Sequence, residues 1–248
     1  PFVLTNHGSI NWQDGIINWS NFSSGIILNN HGQFLISGNN NDAGTNPVQF
    51  NNTGTFTKTS TGTTALLNLQ PFTNDGTVQC NNGLCILDAT VNNNGILTLS
   101  GGDLQFNGQF NQNNGGTFGG TGTLFNNGGT LTIHQNQQWP SGFRFQQQGE
   151  VQIANGITLA FQGTYNFLSG NISGPGMLEV GNNGTFNLES ASAKKFEQQL
   201  SVHNLGEWIW KNGDIHWGAG IQTINNEGLF QLGEPNSGVT LDAVADPG

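Results

Sequence analysis

Short stretches of alternating polar and apolar residues recur along the chain, and each follows an Asn-x-Gly triplet. The first five are NHGSINW from residue 6, NHGQFLI from residue 30, NTGTFTK from residue 52, NDGTVQC from residue 74 and NNGILTL from residue 93. Their glycines are therefore 24, 22, 22 and 19 residues apart. Alternation at a period of two is typical of a β-strand with one buried face, and Asn and Gly tolerate the positive φ of tight turns. The pattern predicts short strands joined by turns.

The same pattern continues less evenly along the rest of the chain. It returns as NNGGTLTI from residue 126, QQGEVQI from residue 147, NNGTFNL from residue 182, NLGEWIW from residue 204 and NEGLFQL from residue 226. A single short strand is not stable, but stacked copies bury their inward side chains against one another. We therefore expect an all-β fold, a parallel β-solenoid of about ten coils with 19–24-residue repeats, and we favour a right-handed β-helix. A β-sandwich or propeller is the alternative, because short glycine-rich strands also suit those folds.

A second repeat has a much longer period. Residues 4–36 match residues 202–232, so that Trp12 corresponds to Trp210. We interpret residues 1–198 as one complete β-solenoid module and residues 199–248 as the start of a second copy, stacked on the first. The segment ESASAKKFEQQLS, residues 189–201, interrupts the Gly/Asn pattern, and its composition favours a helical turn. This segment is either a seam between the modules or an internal loop.

Composition narrows the kinds of partner. The chain has 38 glycines, only 8% charged residues and a formal net charge of −10. A surface that binds nucleic acid or anionic lipid needs positive charge, so we expect no nucleic acid partner and no anionic membrane partner. No apolar run reaches the roughly 20 residues that a membrane-spanning helix needs, so we expect no membrane insertion. The scarcity of Lys and the abundance of Asn, Thr and Gly favour an extracellular or cell-surface protein.

Two cysteines, Cys80 and Cys85, lie in the stretch CNNGLC. Two thiols are too few ligands for a structural zinc site. The short NNG turn between them instead suits a small local disulfide, which an extracellular location would favour. Two free thiols are the other possibility.

Patterns typical of catalysis or metal binding are missing from the sequence. A solenoid polysaccharide hydrolase of the pectinase kind would show closely spaced Asp residues with Gly-His-Gly and Arg-x-Lys elements, and none of these is present. A polysaccharide lyase needs basic groups, and the chain offers Lys58, Arg144, Lys194, Lys195 and Lys211. We assign no catalytic residue and keep a polysaccharide lyase or hydrolase as the last alternative. The five histidines show neither HxxxH nor HxH spacing, so we expect no metal site and no cofactor.

Tryptophan pairs mark the heads of both modules. With the nearby carboxylates they form a candidate binding set, Trp12, Asp14, Trp19, Trp210, Asp214 and Trp217. Aromatic rings stack on the apolar faces of sugars, so this set is a candidate platform for a polysaccharide. The alternative is that the tryptophans are packed, closing a coil or docking one module on the next.

Units similar to NNxGTFxL, some with Leu in place of Phe, extend along essentially the whole chain. In these units the sequence resembles the long repetitive β-solenoid proteins of bacterial surfaces, the filamentous-haemagglutinin and autotransporter-passenger type of adhesin and matrix protein. The resemblance implies a structural role outside the cell and carries over no catalytic residue. We therefore expect a segment of an extracellular fibre, matrix protein or adhesin stalk. Because unpaired sheet edges recruit other chains, we expect it to self-associate end to end, as a filament or as tandem modules. A carbohydrate-binding solenoid is the alternative.

Overall fold

The structure is a computed structural model that describes residues 2–18, 25–38, 41–43, 47–66, 69–218, 220 and 223–233. The chain divides into two compact units, Pro1–Phe125 and Asn126–Gly248. Within these described ranges every regular element is a β-strand, and none is a helix.

The first unit is built from coils of three short strands. Its strands are β1 (Phe2–Asn6), β2 (Ser9–Trp12), β3 (Ile16–Asn18), β4 (Ile26–Asn30), β5 (Gln33–Ile36), β6 (Asn41–Ala43), β7 (Val48–Asn52), β8 (Thr55–Lys58), β9 (Thr63–Leu66), β10 (Leu69–Asn74), β11 (Thr77–Cys80), β12 (Leu84–Leu87), β13 (Val91–Asn93), β14 (Ile96–Leu99), β15 (Asp103–Phe106), β16 (Gln109–Gln112), β17 (Thr117–Gly120) and β18 (Thr123–Asn126). One sheet has the order β1, β4, β7, β10, β13, β16, a second has β2, β5, β8, β11, β14, β17, and a third has β3, β6, β9, β12, β15, β18. Each coil therefore contributes one strand to each of three sheets.

The second unit has the same plan. Its strands are β19 (Thr130–Ile133), β20 (Gln137–Trp139), β21 (Arg144–Gln147), β22 (Glu150–Ile153), β23 (Thr158–Phe161), β24 (Thr164–Phe167), β25 (Gly170–Ser173), β26 (Met177–Val180), β27 (Thr185–Leu188), β28 (Lys194–Phe196), β29 (Ser201–Asn204), β30 (Glu207–Trp210), β31 (Ile215–Trp217), β32 (Thr223–Asn226) and β33 (Leu229–Leu232). Its three sheets have the orders β19, β22, β25, β28, β31, then β20, β23, β26, β29, β32, and finally β21, β24, β27, β30, β33.

Neighbouring strands are parallel and in register. Phe2 lies beside Ile26, 24 residues later, and Phe72 lies beside Val91, 19 residues later. Most other partners have spacings between these two values. The predicted parallel β-solenoid of about ten coils is confirmed. The sandwich and propeller alternatives are wrong, because those folds are built from antiparallel strands.

The glycine of each Asn-x-Gly triplet lets successive turns lie in contact. A Cβ added to Gly32 would lie 2.1 Å from the carbonyl oxygen of Gly8, and one added to Gly54 would lie 2.1 Å from the oxygen of Gly32. The same carbonyl of Gly8 accepts a hydrogen bond from the backbone of Gln33 at 2.8 Å. None of these glycines has a positive φ. Glycine is therefore required here for close approach of two backbones, and not for the left-handed turn conformation expected from the sequence.

Inward side chains form continuous rows inside each unit. In the first unit the rings of Phe50 and Phe72 stack with centroids 5.0 Å apart. In the second unit Phe186 contacts Tyr165 at 4.9 Å and Trp208 at 5.2 Å. All five side chains are buried. Each coil thus buries its apolar face against its neighbours, as the alternating pattern predicts.

A buried polar row, here called the asparagine ladder, runs through the first unit at the ends of β1, β4, β7, β10, β13 and β16. Its members are Asn6, Asn30, Asn52, Asn74, Asn93 and Gln112. Along the row each Asn Nδ2 donates to the side-chain oxygen of the next coil, at 2.7 to 2.8 Å. The Nδ2 of Asn52 also donates to the carbonyl of Thr77 at 3.0 Å. The ladder therefore pairs buried amides, and each bond between two of its side chains is donated toward the later coil.

The segment 189–201 contains a strand and no helical turn. Residues Lys194–Phe196 form β28, which pairs with β25 and β31. The side chains of Lys194 and Phe196 point inward and are buried. The expectation of a helical turn was wrong, because pairing and burial in the sheet outweigh the modest helix propensity of this composition. The module boundary near residue 198 stays a prediction.

Candidate functional site

Three strands at the start of the first unit and three at the end of the second are the outermost strands of their sheets. The strands β1, β2 and β3 form what we call the head edge, and β31, β32 and β33 form the tail edge. Within the described ranges each of these strands has a hydrogen-bonded neighbour on one side. Such edges present backbone N–H and C=O groups that another strand can pair with.

Exposed apolar side chains are concentrated at these two edges. In the described parts of the chain eight large apolar side chains are exposed, and all but Ile96 lie at an edge: Phe2, Val3, Leu4, Ile16, Ile224, Leu229 and Leu232. Exposed apolar side chains that cluster in this way mark interaction surfaces.

At the head edge two side chains are exposed although they point to the inner side of the sheet. Leu4 is 38% exposed, whereas its register partner Leu28, which points to the same side of the sheet one coil later, is 2% exposed. Phe2 is likewise exposed beside the buried Ile26. An additional coil would therefore bury the inward side chains of β1.

The tail edge shows the same contrast. Ile224 is 43% exposed and pairs with Val202, which is 1% exposed. Leu232 is 46% exposed and pairs with Trp210, which is 3% exposed. Both edges are thus open cross-sections of an apolar core.

The asparagine motif recurs at the tail edge. The Nδ2 of Asn204 donates to the Oδ1 of Asn226 at 2.6 Å, in the same direction as in the first unit. The Nδ2 of Asn226 donates to the carbonyl of Gly228 in its own turn, at 3.3 Å. At the head edge the Oδ1 of Asn6 accepts from the backbone of Gly8 at 3.1 Å. The tail edge thus ends in an amide donor and the head edge begins with an amide acceptor.

Of the first tryptophan pair the structure describes only Trp12, which is buried. Trp12 ends β2, points inward beside Ile36, and is 8% exposed. The Oδ1 of Asp14 accepts from the backbone of Gly15 at 2.7 Å and so shapes the turn after β2. Trp19 lies outside the described residues.

The second tryptophan pair is also packed against protein. Trp210 is buried and donates from Nε1 to the carbonyl of Gly213 at 2.7 Å. Trp217 is half-buried, with its ring stacked on Phe196 at a centroid distance of 5.0 Å. The exposed Asp214 accepts from the backbone of Lys194 through its own carbonyl. These contacts are of the kind that the packing alternative describes, and the sugar-platform alternative stays a prediction.

The two cysteines occupy consecutive strands of one coil. Cys80 ends β11 and Cys85 lies in β12, and both are buried free thiols. The hydrogen bond to Cys85, together with burial, raises the pKa of Cys80 well above its usual range. The structure thus has the free-thiol alternative, and the local disulfide suggested by the NNG turn is not formed in it.

Two buried lysines were missed as structural groups by the sequence analysis. The Nζ of Lys58 donates to the carbonyls of Ser60 at 2.6 Å, Gly62 at 2.7 Å and Asn82 at 3.0 Å. It therefore ties the turn after β8 to the turn after β11. Burial lowers the pKa of Lys58.

Lys194 has the same arrangement in the second unit. Its Nζ donates to the carbonyls of Ser190 at 3.0 Å and Ser192 at 2.8 Å, and to that of Asn212 at 3.3 Å. Burial lowers the pKa of Lys194 to about 8. The available signal was the alternation itself, since Lys58 stands two residues after the inward Phe56 and therefore points inward too.

The described residues contain neither a cluster of metal ligands nor a helix that could span a membrane. Among the described residues no group of three or more His, Cys, Asp or Glu side chains is placed to hold a metal ion. Those residues also contain no helix long and apolar enough to cross a membrane.

Comparison with known proteins gives no match to a family model, to a curated protein or to a solved structure.

Proposed function

We propose that the chain is a structural β-solenoid segment of an extracellular fibre, matrix protein or adhesin stalk, and that it self-associates through its head and tail edges. The observation that carries the proposal is the concentration of exposed apolar side chains at these edges, where Leu4 and Ile224 lie in register with buried partners. The resemblance of the repeats to bacterial surface β-solenoid proteins supports the extracellular role.

The driving force is the burial of the open core. Apolar surface removed from water stabilises an interface by about 25 cal/mol per Å², and the edges hold the inward Phe2, Leu4, Ile224 and Leu232. Pairing of edge backbones adds direction, because a strand adds to a parallel sheet in one orientation and in discrete registers. The edge of another coil of the same kind offers both an apolar surface to bury and a strand to pair with.

Charge substitution at the edges tests the self-association. We expect Leu4→Lys or Ile224→Lys to abolish concentration-dependent association, because either places an ammonium group in the contact. Ile96→Lys is the matched control, since Ile96 is 50% exposed on β14, inside its sheet and away from both edges. Sedimentation velocity over a range of chain concentrations measures the association, and circular dichroism checks that each variant is folded.

The wild-type chain and Ile96→Lys should form oligomers as concentration rises, while both edge variants stay monomeric. A wild-type chain that remains monomeric at millimolar concentration would overturn the proposal. Equal weakening by all three substitutions would show that the association is a general surface effect and not an edge contact.

The extracellular location has its own test. Antibodies raised against the folded chain should label intact cells of the source organism, or the matrix around them, without permeabilisation. Labelling that appears only after permeabilisation would contradict this part of the proposal.

A further inference from the structure

A glycine at the head edge has no steric role within its own chain. A Cβ added to Gly8 would meet nothing within 4 Å, and Gly8 has no positive φ. In the next coils the equivalent Gly32 and Gly54 cannot carry a Cβ, because the carbonyl of the preceding coil lies 2.1 Å away. Gly8 can thus take a carbonyl neighbour of the kind that Gly32 and Gly54 have, at a position that no described residue fills.

The tail edge presents a carbonyl of the required kind. A Cβ on Gly228 would lie 2.2 Å from the oxygen of Gly206, so Gly228 stacks on Gly206 as Gly32 stacks on Gly8. In turns of this type the glycine oxygen accepts a hydrogen bond from the residue that follows the next glycine of the series. Thus Leu229 N, which follows Gly228, donates to Gly206 O at 2.8 Å. If the series continued, the glycine of the next coil would stack on the oxygen of Gly228.

The two ends of the asparagine motif are complementary as well. Each Nδ2 in the ladder donates to the Oδ1 of a later coil, so a coil before Asn6 must offer a donor to the Oδ1 of Asn6. Asn226 is the last amide of the tail series in the described residues, and its Oδ1 accepts from Asn204. Its Nδ2 donates to Gly228 in its own turn, as the Nδ2 of Asn52 donates to Gly54 while also donating to the next coil. A bond from Asn226 to Asn6 would continue the series without reversing it.

The apolar side chains agree with this register. With Asn6 beside Asn226, the inward Leu4 lies beside the inward Ile224. With Gly8 beside Gly228, Trp12 lies beside Leu232, as Trp12 already lies beside Ile36. The same alignment therefore matches the amide, the glycine and the apolar positions at once.

We propose that a second copy of this chain docks its head edge on the tail edge, with β1 and β2 parallel to β32 and β33, Asn6 beside Asn226 and Gly8 beside Gly228. This rests on the proposed function, since it names the partner and the register of the same edges. The occupant is a copy of the chain itself because the Asn-x-Gly turn at the head edge repeats the turn at the tail edge.

Gly8→Ala tests the contact without disturbing the fold. In the free chain the new methyl group points into open space, whereas in the docked pair it would collide with the oxygen of Gly228. We expect the dissociation constant to rise at least about tenfold, with an unchanged melting temperature of the monomer. Gly119→Ala is the matched control, because a Cβ there also meets nothing within 4 Å and Gly119 has no positive φ. That variant should associate like the wild type.

Disulfide trapping tests the register. The proposal places the outward, exposed Thr5 beside Asn225, and Asn11 beside Gln231. Neighbouring parallel strands lie about 4.8 Å apart, within the Cα separation that a disulfide spans. Mixed pairs of single-cysteine chains are oxidised at low concentration. The matched pairs are Thr5→Cys with Asn225→Cys and Asn11→Cys with Gln231→Cys. They should cross-link at least about fivefold more than the exchanged pairs, in which Thr5→Cys is mixed with Gln231→Cys and Asn11→Cys with Asn225→Cys.

The outcomes separate this proposal from the function on which it rests. If the wild type associates but exchanged and matched pairs cross-link equally, or Gly8→Ala associates normally, the register is wrong and the self-association stands. If the wild type stays monomeric, both proposals fail. The native Cys80 and Cys85 are buried, and the wild-type chain oxidised alone measures their background.

Discussion

Lys58 and Lys194 show how one residue ties two coils together. Each ammonium group is buried among backbone carbonyls of successive turns, where it makes three hydrogen bonds. Burial of an ammonium is costly unless it is hydrogen-bonded, and the carbonyls would otherwise lack a buried donor. Both lysine side chains are therefore buried structural groups that bond to backbone carbonyls.

Removal of the Lys194 ammonium should destabilise the second unit. Lys194→Met keeps most of the buried side-chain volume but leaves the carbonyls of Ser190 and Ser192 without this donor. We expect the free energy of unfolding to fall by about 1–3 kcal/mol, measured by urea denaturation at pH 7. Lys195→Met, at the exposed neighbouring position, is the control and should change it by less than about 0.5 kcal/mol. A loss no larger than that of the control would refute the structural role.

The same lysine gives a pH dependence of defined sign. Burial lowers the pKa of Lys194 from 10.5 to about 8 in the folded chain. Between these values the unfolded chain binds more protons, so raising the pH favours the folded state. The stability of the wild type relative to Lys194→Met should therefore increase from pH 8 to pH 10, by about 1 kcal/mol or more. Groups common to both chains, such as Cys80, cancel in this difference. A constant or decreasing difference would contradict the buried ammonium.

For single residues, the alternating pattern predicts which way a side chain points better than it predicts how deeply that side chain is buried. Alternation shows that Trp12 and Lys58 share a face with neighbouring apolar residues, and the structure places both inward. It does not show whether an inward tryptophan is covered by another coil. The sugar-platform and packing alternatives could therefore not be separated from the sequence. The structure adds that Trp12 and Trp210 lie beside Ile36 and Leu188 in adjacent coils.

Among elements, the Asn-x-Gly corner organises the first unit. The inward asparagine satisfies its amide in the next coil, and the glycine permits backbone contact between turns. Spacings of 24, 22 and 19 residues all keep this corner aligned, because the differences in length are taken up elsewhere in each coil. The corner therefore sets the register of the stacked strands.

Interruption of the asparagine ladder should cost more than loss of an outward asparagine. Asn52→Leu leaves the Oδ1 of Asn74 and the carbonyl of Thr77 without this donor. It also removes one of the two acceptors of the Nδ2 of Asn30, which keeps its bond to the carbonyl of Thr55. We expect a loss of about 2–4 kcal/mol in the free energy of unfolding, from unpaired buried polar groups. Asn51→Leu, at the half-buried neighbour that bonds to Asn29, should cost about 1 kcal/mol or less. Equal losses in the two variants, measured by thermal or urea unfolding, would refute the ladder's role.

The strands and turns followed from the sequence, but the one-way direction of the bonds in the asparagine ladder did not. Pairs such as Asn29 and Asn30 look alike in the sequence, and only Asn30 points inward. The face could be deduced from Leu28 and Ile26, two and four residues before Asn30. The one-way direction of the amide bonds depends on which residue of the next coil lies alongside, and strand alternation contains no such information.

For the whole molecule, the repeat predicted a parallel solenoid of stacked coils, and the structure adds that each coil has three strands. The repeat predicted that an end coil would be an unpaired sheet edge. The exposed Leu4 and Ile224 give the head and tail edges their apolar surfaces. Gly8 leaves room at the head edge for a carbonyl oxygen of the next coil surface. The match between residues 4–36 and 202–232 remains the basis for the predicted modules.

Hydrogen exchange at the edge strands is the most direct test of the central claim, that open coil edges of this chain pair with each other. Alternate amides of a parallel strand face opposite neighbours, and Leu229 N already bonds to Gly206 inside the chain. As the chain concentration rises, the amides that face the partner copy, those of Ser9 and Asn11 at the head edge and of Phe230 and Leu232 at the tail edge, should exchange at least about tenfold more slowly, because they become hydrogen-bonded between copies. Those of the interior strand Thr77–Cys80 should be protected at every concentration, since they are already paired on both sides. Edge amides that exchange at the same rate in dilute and concentrated samples would contradict the account.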